Sequence, residues 1–321
     1  MNITIIVLTY NHQDYICDCL ESIRYQVERY GDEEHVLELI VTDDCSSDNT
    51  VALVKDWLAK YSYLFNNVII NVNAKNTGTC NNYENALAKS SGDYIKLLGG
   101  DDLFPPNSMY EIFSYLQQYD IVSGLPFEYV VNGKNAPESI QTLTHKLQCI
   151  NYAIRSQDFY KLIEKSCFLN APATYIRRDV AVDPKVVSFV RSYVFTEDYP
   201  QWVKMSEIKQ IKYMLLDSYT IIYRRTEKSA VIVKGADPRF IDDRKRIYTY
   251  LYKRTNSLLT KVIIMGTLVA LHRNKLQPNK YLNLLSYINK FYWIKNRKRT
   301  KPIALESIKD TLVYIDTIVK K

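Results

Sequence analysis

Glycine is scarce in this chain, with 9 among 321 residues. No glycine-rich phosphate loop follows the first apolar run. Tyr10-Asn11-His12-Gln13 stands there instead, which argues against a nucleotidyltransferase built on such a loop. Long hydrophobic runs are also missing. The most apolar stretch, 262–271, is about half of what a bilayer-spanning helix needs. The six cysteines form no CxxC pair, and Cys17-Asp18-Cys19 has the wrong spacing for a redox or zinc motif. Their scatter reads as reduced thiols in a cytosolic protein. The start, Met-Asn-Ile-Thr, lacks the basic segment and cleavage site of a secretory leader. The expectation is a cytoplasmic protein, soluble or peripheral on the inner face of the cell membrane.

What is present is an ordinary globular composition, 47% hydrophobic and 24% charged, enough for one large and one smaller domain. The 27 tyrosines read mainly as bias, with sugar stacking open to only a few. The net charge of +7 is uneven. Basic residues gather after about residue 204, most densely at Lys295, Arg297, Lys298, Arg299 and Lys301. That asymmetry suggests an anionic partner. No nucleic-acid motif accompanies it, so an anionic membrane surface or a diphosphate-linked acceptor fits better than DNA.

Residues 3–8 form a β-branched run that is apolar on both faces, the pattern of a buried parallel strand. Ile16, Leu20, Ile23 and Val27 then recur at helical spacing. Strands at 36–41, 68–72 and 94–98 alternate with helices opening near Thr50 and at 82–90. This β-α-β order calls for a doubly wound α/β sheet, mixed but mostly parallel and flanked by helices. A helix at 109–118 and strands at 120–124, 175–176 and 219–223 follow, with an insertion at 126–170. From residue 242 the pattern is helical, at 242–254, 258–273, 279–296 and 304–320. A boundary near 235 gives two domains, 1–235 and a helical, basic 236–321.

Ligands of such sheets bind beyond the carboxyl ends of the strands. Four successive strand ends here carry polar tips, and three constellations stand out. Asp101-Asp102 follows Gly99-Gly100. A carboxylate there can hold a divalent ion against a diphosphate, although acid pairs are also common in plain turns. Asp43-Asp44 precedes Cys45-Ser46-Ser47-Asp48-Asn49-Thr50. An acid at a strand end can accept an N–H from a nucleobase, while Ser47 or Asp48 caps the next helix. Glu197-Asp198, beside Tyr199 and Trp202, suits a general base with aromatic rings for a sugar face. It suits equally an N-cap acid pair before a helix starting near Pro200.

Thr9-Tyr10-Asn11, the run from Asp43 to Thr50, Asn76-Thr77-Gly78, Ser91-Gly92-Asp93-Tyr94-Ile95, Asp101-Asp102 and Glu197-Asp198 occur in one order and spacing. Over residues 1–230 the chain thereby resembles family 2 glycosyltransferases of the GT-A fold, especially bacterial enzymes of surface polysaccharides such as O-antigen or capsule. The resemblance implies an inverting transfer of a sugar from a nucleotide-sugar donor, UDP by default, with Mn2+ or Mg2+ as cofactor. The acceptor it implies is a saccharide or polyprenyl-diphosphate-linked saccharide. It puts Thr9, Tyr10 and Asn11 in the base pocket, with His12 near the ribose or phosphates and Asn76 and Gly78 in the donor loop. It gives Asp44 the nucleobase with Asp43 in support, and Asp101 the ribose or donor sugar beside Gly100. Asp102 becomes the metal ligand, and Asp198 the base with Glu197 beside it.

Two positions depart from the family pattern. Asn82-Tyr83-Glu84 stands where many relatives carry an arginine, and Thr226 stands where a histidine is common. Arg224, Arg225, Lys228 and Ser229, with Trp202, are the candidates left to contact the diphosphate or acceptor. These departures keep a second reading open, a catalytically degenerate nucleotide- or sugar-binding scaffold of an assembly complex. The aromatic run 284–293 ahead of the basic cluster reads either as a membrane-surface helix or as one packed on the catalytic domain or in a homodimer.

Overall fold

The computed structural model describes residues 1–226, 237–272 and 284–319. Its first half repeats a strand–helix unit: β1 (Asn2–Thr9), α1 (Ile16–Tyr30), β2 (Val36–Asp43), α2 (Thr50–Tyr61), β3 (Asn67–Val72), α3 (Thr79–Lys89) and β4 (Tyr94–Gly99). Next come α4 (Ser108–Leu116), β5 (Ile121–Val130), α5 (Pro137–Ile154), α6 (Phe159–Ile163), β6 (Thr174–Arg177), α7 (Arg178–Ala181), α8 (Pro184–Val190), α9 (Asp198–Ile208) and β7 (Tyr213–Arg225). The remaining helices are α10 (Pro238–Arg254), α11 (Leu258–His272), α12 (Leu284–Asn296) and α13 (Leu305–Val319).

The strands make one seven-stranded sheet in the order β3-β2-β1-β4-β6-β5-β7, with β6 antiparallel to both neighbours. Strand order reverses between β1 and β4, which opens a crevice there. Helices cover both faces, which is why the central strands are apolar throughout. Ile3, Ile5 and Val7 pack toward α1, α2 and α4 with Leu20, Trp57 and Phe113. Ile6 and Ile40 face the other way, against Tyr83, Tyr199, Trp202 and Ile247 of α3, α9 and α10. A third core joins β5 and β7 to α13 through Phe127, Ile222 and Ile315.

The structure lengthens several expected elements. The strand expected at 219–223 runs over thirteen residues as β7, and the one expected at 120–124 continues to Val130. A register shift between Leu125 and Pro126 lets β5 and β7 stay paired past the proline. The first turn of α3 was missed at sequence level. It begins directly after Gly78, whose φ of 85° ends the preceding loop. The expected start of the 279–296 helix lies outside the described residues, which begin at Leu284 there. One quoted motif serves the opposite end of the sheet. The N–H of Ser91 and the hydroxyl of Thr4 both donate to Glu38, and the N–H of Gly92 donates to Thr4 Oγ1 at 2.9 Å.

Candidate active site

Register builds the rim. Thr9 pairs with Asp43, and Leu8 with Gly99, so the ends of β2, β1 and β4 lie side by side. The loop after β1 then docks on the loop after β2. Asn11, in the left-handed region at φ 55°, donates its N–H to Ser46 Oγ at 2.7 Å and accepts the N–H of Ser47 on its side-chain oxygen at 2.9 Å. Cys45 is left-handed as well, at φ 66°. Paired strain of this kind persists only where surrounding bonds fix it. Asp43 supplies two of them, accepting the N–H and the hydroxyl of Ser46 at 2.7 and 2.5 Å. Tyr10 stands free on this rim, 45% exposed.

Asp44 was expected to meet the nucleobase. In this structure it accepts Asn73 Nδ2, the N–H and hydroxyl of Thr77, and the N–H of Gly78, at 2.8–3.0 Å. Four donors nearly fill a carboxylate's capacity. Asp44 therefore holds the loop of Asn76 and Gly78 against β2. Gly78 in turn lies against Val194, because a Cβ there would fall 2.5 Å from that carbonyl.

Asp101 and Asp102 turn back over the end of β4. A side chain at Gly99 would meet Asp101 Oδ1 at 2.8 Å and Asp102 Oδ2 at 3.1 Å, so a glycine is needed there. Thr9 Oγ1 and His12 Nδ1 sit beneath this loop as buried atoms without a hydrogen-bond partner. Both approach the place where a Gly100 side chain would stand, at 3.1 and 2.7 Å. Asp102, expected as the main metal ligand, is 2% exposed and accepts the N–H of Arg224 at 3.0 Å. Burial and the charge of Asp101 push its carboxyl well above the usual range. Lys96 lies fully buried under the same loop, and desolvation pulls it down to about 7 against the pull of Asp102.

Arg224 was one candidate to contact the diphosphate or acceptor, but the structure encloses it, at 2% exposure. Its guanidinium is buried, pairs with Asp18 at 2.7 Å, and donates to the Tyr15 and Asp101 carbonyls. It ties the acid loop to α1. Arg225 is more open and pairs with Glu128 at 2.9 Å. Thr226 is buried, while Lys228 and Ser229 lie outside the described residues.

Glu197 and Asp198 open α9, two residues ahead of the start expected at Pro200. Burial and the neighbouring Asp198 push Glu197 up to about 8. Asp198 is raised by burial too, with the positive charge of Arg244 as the largest opposing influence. Cys167 Sγ approaches Asp198 Oδ2 at 3.9 Å. The Tyr223 phenol is pushed up by burial first, with the charges of Asp102, Asp101 and Asp198 adding to the rise. Trp202 and Tyr199 do not offer a sugar platform. They are 1% and 0% exposed, and Tyr199 donates to the Ile163 carbonyl at 2.9 Å. Tyr83 is buried likewise and accepts Gln201 Nε2 at 2.9 Å, joining α3 to α9.

Sequence reasoning missed the contribution of α10. Asp243 Oδ2 accepts the N–H groups of Val194, Phe195 and Thr196, the loop leading into Glu197. Arg244 lies among the rings of Tyr199, Phe240 and Tyr248 at 5.2–5.8 Å, facing the Asp198 side. Only the helical spacing of 242–254 was visible in sequence. Contacts reaching back 47–49 residues leave no local motif.

A sheet whose carboxyl edge carries acid loops after β2 and β4, capped by a Glu-Asp pair on α9, defines a GT-A fold. The chain belongs to glycosyltransferase family 2, whose model matches residues 4–181. It is similar to the abequosyltransferase RfbV of Salmonella typhimurium, 29% identical over 122 residues, which covers 38% of this chain and 34% of that enzyme. The first curated relatives it matches are thus spanned over about a third of their length. The fold resembles Staphylococcus aureus TarS 1–349 in complex with UDP-GlcNAc (TM-score 0.57, 18% identity, 92% of this chain and 79% of that one). It also resembles a Pyrobaculum calidifontis mannosyltransferase with GDP-Man and Mn2+ (TM-score 0.52, 13% identity, 98% and 79%).

Proposed function

We propose that this protein is an inverting glycosyltransferase that moves a sugar from a nucleotide-sugar, UDP-linked by default, to a saccharide or polyprenyl-diphosphate-linked saccharide. Synthesis of a bacterial surface polysaccharide at the cytoplasmic side of the membrane is the process it would serve. The observation that carries the reading is that the loop leading into Glu197 and Asp198 packs on the Asn76-Gly78 loop at the carboxyl edge, the Val194 carbonyl accepting the Cys80 N–H at 3.2 Å. A base and a diphosphate-binding loop on one cleft are what direct displacement at an anomeric carbon requires.

In this reading Tyr10, on the open rim, meets the base, and Thr9 Oγ1 and His12 Nδ1 supply unpartnered polar atoms below the phosphates. Among the described residues no group of three or more His, Cys, Asp or Glu is arranged to hold a metal. Two adjacent carboxylates fit an ion completed by substrate phosphates, as Mg2+ commonly is. Asp101, more open than the enclosed Asp102, would be the direct ligand, and Asp102 would set its position. A bound Mn2+ or Mg2+ would neutralise charge on the leaving diphosphate. Asp198 would take the proton from the acceptor hydroxyl. Glu197, protonated near neutral pH, would leave the negative charge on Asp198.

The test is release of UDP from a panel of UDP-sugars with a saccharide acceptor, with and without Mn2+. Asp198→Asn is expected to lower transfer by about 10²–10⁴-fold while donor binding persists. Full activity in that variant removes the assignment. A second reading, a binding scaffold without transfer, draws on Tyr83 and Thr226 in place of the family's basic residues. Nucleotide binding with no turnover of any donor would favour it.

A further inference from the structure

Between Asp243 and Glu306 the chain carries no Asp or Glu but fifteen Lys or Arg. Within this acid-free segment two helices leave apolar faces open. On α11, Leu258, Val262, Met265 and Val269 point outward at spacings of four, three and four, while Ile263, Ile264 and Leu271 face the core. Leu258 is 78% exposed. On α12, Tyr287, Phe291 and Ile294 point outward, while Ile288 and Tyr292 turn toward α5. Lys290, Lys295, Arg297, Lys298, Arg299 and Lys301 are exposed at the same end.

Apolar side chains projecting from a surface of one charge sign are the pattern of interfacial membrane binding, in which cations meet anionic headgroups and the side chains enter the acyl boundary. No described helix is long and apolar enough to cross a bilayer, so the contact would lie in the surface plane. A second copy of the chain would place two such acid-free faces together. The charge balance thus argues for an anionic occupant over a homodimer.

We infer that the open faces of α11 and α12, with the basic residues around them, dock this protein on an anionic lipid bilayer. An apolar groove of about 670 Å³ continues inward from this surface between α5 and α12. Leu259, Tyr287 and Phe291 lie at its outer part, and Cys167 also lines it. Cys167, in the wall of this groove, has its Sγ 3.9 Å from Asp198 Oδ2.

The experiment is flotation of the full chain with vesicles of phosphatidylcholine alone or with one third phosphatidylglycerol. Neither donor nor acceptor is present, so the result is independent of sugar transfer. The expected result is binding to the anionic vesicles only, weakened by salt. It should weaken about tenfold or more in K298E/R299E and in L258S/V262S/F291S, whose side chains are exposed and whose melting temperatures should match the parent. Absence of binding to anionic vesicles would overturn the inference, as would equal binding by parent and variants. Concentration-dependent self-association lost in L258S/V262S/F291S, with no vesicle binding, would give the surface to a second copy and overturn it likewise.

Discussion

The carboxylate of Asp243 lies 2.6 Å from the backbone nitrogen of Phe195 and accepts the N–H groups on either side of it as well. A helix beyond residue 235 therefore shapes the loop that presents Glu197 and Asp198. Asp243 is 2% exposed and Thr196 is buried with it, so its removal leaves the Thr196 N–H at least without a ready partner. Asp243→Ala should cost about 1–3 kcal/mol for each group left unsatisfied, less whatever the loop recovers by moving. Transfer should fall more than nucleotide affinity, because the displaced loop carries the proposed base. Urea unfolding and separate measurement of kcat and UDP affinity check this. Loss of UDP binding alone would contradict it.

How much of this was legible in sequence followed the range of the contacts. β1 to β4 and their helices were readable because hydrophobic period and turn residues are local, and the acids at the strand ends could be placed on one rim by topology. The roles within that rim were less accessible. Asp44 and Asp102 look like ligand-binding acids in a linear pattern, yet their oxygens meet Thr77, Gly78 and Arg224, 33–122 residues away. Trp202 beside Asp198 looked like a sugar platform because a helix start hides which face turns inward. α10 reads only as amphipathic, so Asp243 and Arg244 carried no signal of their place near the Glu197-Asp198 pair.

Glu197 makes a prediction about stability and pH. Its carboxyl is raised from an ordinary value of 4.5 to about 8, first by burial and then by Asp198. Between those values the folded chain holds a proton that the unfolded chain has released. Stability contributed by this group therefore falls as pH rises from about 4.5 to 8 and is flat above. Glu197→Gln should remove that slope and gain most over the parent near pH 8. Melting curves at a series of pH values measure it. A parent and variant with parallel profiles would show that Glu197 titrates normally.

Arg244 is the strongest influence favouring ionised Asp198, among Glu197, Cys167 and the other groups that face it. Removing the charge should raise the pH at which the base becomes available. Arg244→Gln is expected to lose more kcat/KM at about pH 6 than at about pH 9, as a general base requires. Arg244→Lys, which keeps the charge, should restore most of the acid-side activity. A purely structural role would lower the rate equally across the pH range.

Arg224 supports the acid loop from behind, and its loss should separate stability from chemistry in a different way. Its side chain is 1% exposed, its charge is matched by Asp18, and its backbone and guanidinium fix Asp102 and the Asp101 carbonyl. Arg224→Met leaves Asp18 as a buried carboxylate without its cation, a change that costs about 3–5 kcal/mol when both partners are enclosed. Asp18 keeps some access to water, 14%, so the lower end of that range is expected. Burial already raises the Asp18 carboxyl and Arg224 opposes that rise, so in the variant it should move further up. Below that point Asp18 is protonated in the folded variant, so the penalty of an unpaired buried carboxylate fades and the gap between variant and parent should narrow as pH falls. Arg224→Lys would keep a charge but not the fork that reaches Asp18, Tyr15 and Asp101 together. It should regain part of the stability while Mn2+-dependent UDP affinity, read by calorimetry, stays below the parent. Full recovery of both by lysine would reduce Arg224 to a simple counter-charge and remove its role in aiming the acid loop.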